Sequence, residues 1–287
     1  MTFSIVAYDP DENSWGVAVA SKFLAAGALV SWAQGGVGAV ATQAFVRVPN
    51  GADGLALLAQ GKSAQECLTE LLKSDSKADK RQFALVDMNG NVAAHTGASC
   101  HDWAGHKLGT HFSVQGNILT GSDVLDAMSD AYVNATGELA DRLVMALQAG
   151  ERAGGDKRGK QAAGVLVAKP NGGYGGDNDR YLDLRVDDDE QPVKKLRQLV
   201  ETHHLFFGKS KPEDQIPIGE AIARELQNMM LNQGYMGGEV NGVWDQMAQQ
   251  AFWLLIGNEN LEERWNLDGD PTMIDRVALE YLRKRFG

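Results

Sequence analysis

Several things are scarce in this chain, and each scarcity removes a class of function. Cysteine occurs twice in 287 residues, as Cys67 and Cys100, far apart and without CxxC spacing. That argues against a disulfide framework or a zinc ribbon and fits a reduced compartment. Basic residues are outnumbered, 27 Lys plus Arg against 38 Asp plus Glu, giving a net charge of −11. No basic stretch interleaved with aromatics offsets this balance, so neither nucleic acid nor an anionic membrane is expected as a partner. No apolar run approaches the length of a membrane span, and the first residues lack the basic-then-apolar order of an export signal. The expectation is a cytoplasmic location.

What is present begins with a hairpin. Met1 to Phe23 alternates Thr2, Ser4, Val6 and Tyr8 with Phe3, Ile5 and Ala7, turns through Asp9 to Ser14, and resumes a β-like run from Trp15 to Ala20. The residues from Gly27 to Trp32 and Gly35 to Val48 continue the β pattern. Within them Gly36, Gly38 and Ala41 match the G-x-G-x-x-A form of a dinucleotide fingerprint. The residues that follow (Val40, Thr42, Phe45, Val46, Val48) favour continued strand rather than the helix that fingerprint requires, so the glycines read as a tight turn and close sheet packing. Pro49 to Gly51 breaks the strand, and Leu55, Leu57 and Leu58 begin a helical period. Ser63 with Glu66 forms a capping box before a helix with Cys67, Leu68, Leu71 and Leu72 inward.

Two strands, Gln82 to Asp87 and Val92 to Thr96, flank the hairpin signal Asn89-Gly90. A loop from Ser99 to His111 leads to a strand over Phe112 to Leu119. Ser122 is placed to cap a helix carrying Val124, Leu125, Met128 and Tyr132. Leu139, Leu143 and Leu147 mark the next helix, and strands follow at Gly164 to Ala168 and Tyr181 to Val186. Strands, two helices, strands, two helices, strands suits helices packed outside two stacked antiparallel sheets. The expected fold is α+β, a four-layer αββα sandwich over residues 1–207, then a linker at 208–212 and a small all-α domain over 213–287. The charged stretch from Gly208 to Pro217, with two prolines, has no apolar period. The helical pattern beyond it rests on Ile218, Ile222, Leu226, Met229 and Met230, on Trp244 to Leu255 and on Ile274 to Phe286.

Some residue clusters have both a chemical and a structural reading. His95, Cys100, His101, His106 and His111 are the one grouping of soft ligands. Their spacing only partly matches zinc sites, and a loop packed through Trp103 is the preferred reading. Asp177, Asp179 and Asp183 lack the Gly and bidentate Glu of a calcium loop and read as a solvated turn. No metal and no cofactor are therefore expected. His203 and His204, at the end of a helix, read as offsetting its terminal dipole or facing solvent. Asp156 and Arg158, flanked by glycines, suit either a salt-bridged turn or a site for an anionic ligand.

A resemblance gives these readings a frame. The segments Thr2–Ala7, Gly16–Ser21, Gly36–Gln43, Trp103–His106, Val114–Asn117, Gly154–Gly159 and Gly173–Gly176 resemble the domain of unknown function 1028 family, which has an Ntn-hydrolase-like fold. The wider Ntn-hydrolase resemblance implies amide hydrolysis of a small-molecule or peptide substrate by a terminal residue exposed by processing. Here removal of Met1 would free Thr2, whose α-amine, with a pKa near ~7.7–8 before the site perturbs it, would serve as base. Gln43 and Asn117 are candidate oxyanion donors, Ser4 and Ser21 line the cleft, and Asp156 and Arg158 bind substrate. Leu226-Gln227, Gly234-Tyr235, Asn241-Gly242, Trp244-Asp245 and Phe252 resemble a peptidoglycan-binding-like helical module. That implies a peptidoglycan fragment or a protein as partner of the tail. The rival expectation is a catalytically inactive binding or assembly module, and a homo-oligomer is compatible with either.

Overall fold

The computed structural model describes residues 2–73, 75–208 and 210–287. The chain forms two compact units, one up to Val200 and one from Glu201 onward.

In the first unit the opening hairpin is β1 (Thr2–Asp9) and β2 (Ser14–Ser21). A short helix α1 (Ala26–Val30) precedes β3 (Ser31–Gln34) and β4 (Gly38–Ala44), and two helices follow, α2 (Pro49–Ala59) and α3 (Ala64–Lys73). Next come β5 (Arg81–Asp87), β6 (Val92–Thr96), β7 (Gly105–Gly109) and β8 (Phe112–Asn117). Helices α4 (Asp123–Asn134) and α5 (Leu139–Arg152), strands β9 (Ala162–Ala168) and β10 (Arg180–Val186), and the part of helix α6 (Pro192–Phe207) up to Val200 complete it. The strands make a six-stranded sheet, β10-β9-β2-β1-β8-β7, and a four-stranded sheet, β3-β4-β5-β6. Every pairing between them is antiparallel. The unit is thus a mixed α/β fold with antiparallel sheets.

Alternation along each strand decides what its faces meet. Phe3, Ile5 and Ala7 of β1 join Leu125, Met128, Leu143 and Leu147 of α4 and α5 in one apolar cluster, to which α6 adds Val193, Leu196 and Val200. The helices approach the sheet so closely that a Cβ on Gly16 would lie 2.6 Å from the Leu143 side chain. On the opposite face Val6, Trp15, Val17 and Val19 meet Ala39, Ala41, Ala84 and Val86 of the four-stranded sheet. That sheet's other face, through Val40, Phe83 and Leu85, packs on Leu58 of α2 and on Cys67, Leu68 and Leu71 of α3. Burial pushes the Cys67 thiol up to about 11, as suits a core residue.

Several local expectations are corrected. The strand expected to reach Val48 stops at Ala44, which takes a positive φ of 67°; its partner β5 starts at Arg81, so the ladder does not continue along residues 45–48. Pro49 then begins helix α2, because a proline costs nothing at a first helical position. The Gly36 and Gly38 motif, with φ of 73° and 152°, makes the β3–β4 hairpin turn. The loop expected from Ser99 to His111 contains β7, which pairs with β8. Ser122 stands at the N-terminus of α4, but its hydroxyl makes no capping bond. The Ser63–Glu66 capping box is present, with Ser63 N 2.8 Å from Glu66 Oε2.

The second unit is helical, with α7 (Glu220–Asn232), α8 (Gln246–Asn258) and α9 (Arg276–Phe286) around a cluster centred on Leu226, Met230, Phe252, Leu255 and Trp265. It is not wholly helical: β11 (Gln215–Pro217) and β12 (Met273–Asp275) form a two-stranded ribbon where Gln215 to Pro217 read as irregular. The units divide at Val200 and Glu201, inside α6, whereas composition put the boundary at 207 where the helix ends. Helical hydrogen bonds are local, so a helix can continue unbroken while its packing partners change. Of the two readings for His203, at the helix end, the solvent-facing one is corrected: it is buried beside Phe207. Among the described residues no helix is long and apolar enough to cross a membrane.

Candidate functional site

The residues singled out in the sequence lie mostly at one end of β1, on the face turned toward the four-stranded sheet. Thr2 is paired across the strand with Asn117 of β8. On its other side its Oγ1 lies 3.1 Å from Ser21 Oγ, at the end of β2. Ser4 shares the face of Thr2 by alternation, and its hydroxyl donates to Gln43 Oε1 of β4 at 2.7 Å. All five residues are buried.

They belong to a larger network of amides between the sheets. Gln115 Nε2 donates to Ser4 Oγ at 2.6 Å, and Ser113 Oγ donates to Gln115 Oε1 at 2.8 Å. Gln43 Nε2 donates to Gln82 Oε1 at 2.8 Å and, more weakly, to the Gln115 carbonyl at 3.4 Å. Gln82 is the hub. Its Oε1 also accepts from Asn117 Nδ2 at 2.9 Å, while its Nε2 faces the Gly116 carbonyl at 2.7 Å and the Gly105 carbonyl and Thr96 Oγ1, both at 3.0 Å. Polar groups removed from water cost little only when partnered in this way. Ser4 and Gln43 are therefore committed to holding strands together. Asn117 spends one amide hydrogen on Gln82 and, by valence, keeps a second.

Two pockets flank this end of the strand. The larger, about 560 Å³, is lined by Asn117 and Ile118, by Ala44 and Phe45 after β4, by Lys77 and Lys80, and by Ser99, Cys100 and His101. Its walls are tied by backbone bonds: Ile118 N donates to the His101 carbonyl at 2.8 Å, Ser99 N to the Asp79 carbonyl at 2.7 Å, and Phe45 N to the Lys80 carbonyl at 3.2 Å. Burial pushes the Cys100 thiol up, which keeps it protonated and a poor nucleophile.

The smaller pocket, about 100 Å³, lies on the helix side of the sheet, beside Phe3, Ala20, Ser21 and Asp156. Asp156 is held by the Lys22 and Arg158 backbone N–H groups, each at 2.8 Å, and pairs with the Arg158 guanidinium at 3.3 Å. Positive φ at Gly154, Gly155 and Gly159 (116°, 50° and 108°) lets this loop fold back to pair with Leu119. Asp156 thus reaches the Thr2 end, beside the same pocket as Ser21, with Arg158 paired to it.

The remaining candidates do not converge. His95 Nε2 lies 2.8 Å from the Ala78 carbonyl, His106 Nδ1 2.9 Å from Thr96 Oγ1, and Cys100 Sγ 3.3 Å from the Arg81 carbonyl. Among the described residues no three His, Cys, Asp or Glu side chains gather as a metal site. Met1, whose removal the Thr2 reading requires, lies outside the described residues.

Gln82, Gln115, Lys77 and Lys80 were not anticipated. The period-two run Ser113, Gln115, Asn117, opposite Phe112 and Val114, was the available signal for β8. A single glutamine near the start of β5 and two lysines just before that strand carry none.

In the C-terminal unit the motif residues are structural. Gln227 Nε2 donates to the Val243 carbonyl at 2.9 Å and to Asn241 Oδ1 at 3.0 Å, while its Oε1 accepts from Gly242 N at 2.8 Å. Asp245 caps α8 through Ala248 N at 3.0 Å, and Trp244 Nε1 donates to the Pro271 carbonyl at 2.8 Å.

Comparison with known proteins agrees with this division. Residues 2–196 match the "Family of unknown function (DUF1028)", and residues 206–282 match the "Putative peptidoglycan binding domain" family. The crystal structure of protein SPO2555 from Silicibacter pomeroyi, of the DUF1028 family, is similar at 32% identity and a TM-score of 0.65, covering 71% of this chain and 86% of that one. No curated protein matches the sequence.

Proposed function

The chain belongs to the DUF1028 family, and from that premise we propose that its first unit is an amidohydrolase of the N-terminal-nucleophile kind, a four-layer αββα sandwich with Thr2 as nucleophile. The observation that carries this reading is the position of Thr2 on the first residue of a central strand, between Ser21 and Asn117. Asn117 in turn lines the mouth of the large pocket. Cleavage before Thr2 frees its α-amine. The amine takes the hydroxyl proton as Oγ1 attacks the amide carbon, and the tetrahedral oxyanion accepts the second Asn117 amide hydrogen. The amine then protonates the leaving nitrogen, the C–N bond breaks, and an ester to Thr2 remains for water to hydrolyse. Ser21 orients the Thr2 hydroxyl. Ser4, Gln43 and Gln82 hold Asn117 in place rather than touching substrate, and Asp156 with Arg158 closes the loop behind Ser21.

The test is a panel of amides offered to protein whose N-terminus is Thr2 and to the Thr2→Ala variant. Hydrolysis by the first and its loss in the second is the expected result. Equal turnover by both removes Thr2 from the mechanism, and no turnover of any amide by the first favours a catalytically silent binding module.

A second reading, for the tail, rests on the match of residues 206–282: the C-terminal unit binds peptidoglycan. Retention of the full chain on insoluble peptidoglycan is expected, and its absence removes this reading. Since Gln227, Trp244 and Asp245 hold the unit together, the contacts lie on other residues.

A further inference from the structure

We infer that the large pocket beside Asn117 receives a carboxylate on the substrate, held by Lys77 and Lys80, with the adjoining apolar part of the substrate against Phe45. This takes its orientation from the reading of Thr2 as nucleophile, which sets where the amide lies.

The pocket, at about 560 Å³, falls in the range of small-molecule sites. Its lining includes two lysines and no acidic residue, in a chain whose net charge is −11. Nearby charges are otherwise committed. Arg81, buried, bonds Asp75 at 2.7 Å, and that bond holds the Asp75 carboxyl below the usual range. Asp79, between the two lysines in sequence, accepts from Ser99 Oγ at 2.7 Å. Asp75, which also accepts from the Lys77 backbone N–H at 2.9 Å, is thus paired with Arg81 rather than with a lysine ammonium. Both lysines are exposed, so their charges are available to a ligand.

Phe45 supplies the apolar contact. Its side chain is 59% exposed, yet it is fixed from several directions. The Arg81 guanidinium bonds its carbonyl and lies 5.1 Å from its ring centre, with the Lys77 ammonium at 5.7 Å. An aromatic ring left in water but held by cations is a preformed surface for an apolar group. A ligand spanning Thr2, Asn117 and the lysines would present an amide at one end and a negative charge at the other, as an N-acyl amino acid or the C-terminal end of a peptide does.

The test uses matched neutral and anionic probes: N-acetyl-L-phenylalanine and N-acetyl-L-leucine against their carboxamides, titrated calorimetrically into the full chain and the K77M/K80M variant. The free acids are expected to bind about tenfold more tightly than the carboxamides, and the variant to lose that preference with little change for the carboxamides. The preference should also weaken as salt is raised. Equal binding of acid and carboxamide, binding of neither, or a preference that survives in K77M/K80M overturns the inference. Inorganic phosphate displacing the acids at equal concentration overturns the assignment to a carboxylate. An acid preference with no turnover of any amide leaves this inference standing and removes the nucleophile. Turnover without a preference does the reverse.

Discussion

The two faces of β1 are built from alternate residues of one strand, and they have opposite characters. Phe3, Ile5 and Ala7 face the helices and are wholly apolar. On the other face Val6 meets the second sheet in an apolar layer, but toward the start Ser4 enters a chain of amides that ends at Asn117 and an open pocket, and Thr2 is the strand partner of Asn117. An apolar layer there would hold the sheets together with fewer conditions, because every buried amide must find a partner. The difference teaches where to look for chemistry: between the sheets, the layer under β1 turns from apolar to amide-rich as it nears the pocket.

The largest expected effect contrasts the faces directly. Thr2→Val keeps the strand's shape and removes the hydroxyl, so amide hydrolysis should fall by at least about a thousandfold with unfolding free energy changed by about 1 kcal/mol or less. Kinetics and denaturant melts on the same preparation check both halves. Ile5→Ala, three residues along on the other face and fully buried, should reverse the pattern. It should cost about 2–5 kcal/mol of stability while leaving kcat per folded molecule little changed. A smaller effect is expected for Gln82→Leu, which strands the Gly116 carbonyl and the Asn117 amide. A loss of about 1–3 kcal/mol should come with a fall in kcat, since Asn117 loses its anchor; a fall in stability alone would make the network structural only. The smallest belongs to the C-terminal unit, where Asp245→Ala removes a helix cap worth about 1 kcal/mol. It should lower that unit's melting without altering hydrolysis.

Much of the fold was legible because it is local. The alternation in Thr2 to Tyr8, the Asn89-Gly90 turn, the Ser63–Glu66 box and the leucine spacing of α5 each state a period or a turn type on the surface of the sequence. What was not legible depends on partners distant in the chain. Val46 and Val48 have strand propensity, but the ladder does not continue along them, since β5 begins at Arg81 opposite Ala44. Gly105 to Gly109 has weak strand propensity and forms one because β8 offers an edge. For the proposed site, Thr2, Ser21 and Asn117 were named from position and resemblance. Gln82 was missed because its role exists only once β4, β5 and β8 stand together: it bonds Gln43, 39 residues before it, and Asn117, 35 residues after it. Lys77 and Lys80 look like any surface lysines until the turn bearing them closes on Phe45 and Ser99.

The central claim is that Thr2 carries a free amine and reacts through its hydroxyl. Peptide-mapping mass spectrometry of natively expressed protein, after treatment with a hydroxyl-directed acylating electrophile such as a β-lactone, tests it most directly. The account predicts an N-terminal peptide that begins at Thr2 and carries a single acyl adduct on that residue. A residue still attached before Thr2 in amide-hydrolysing material, or an adduct found elsewhere with Thr2 unmodified, would contradict it.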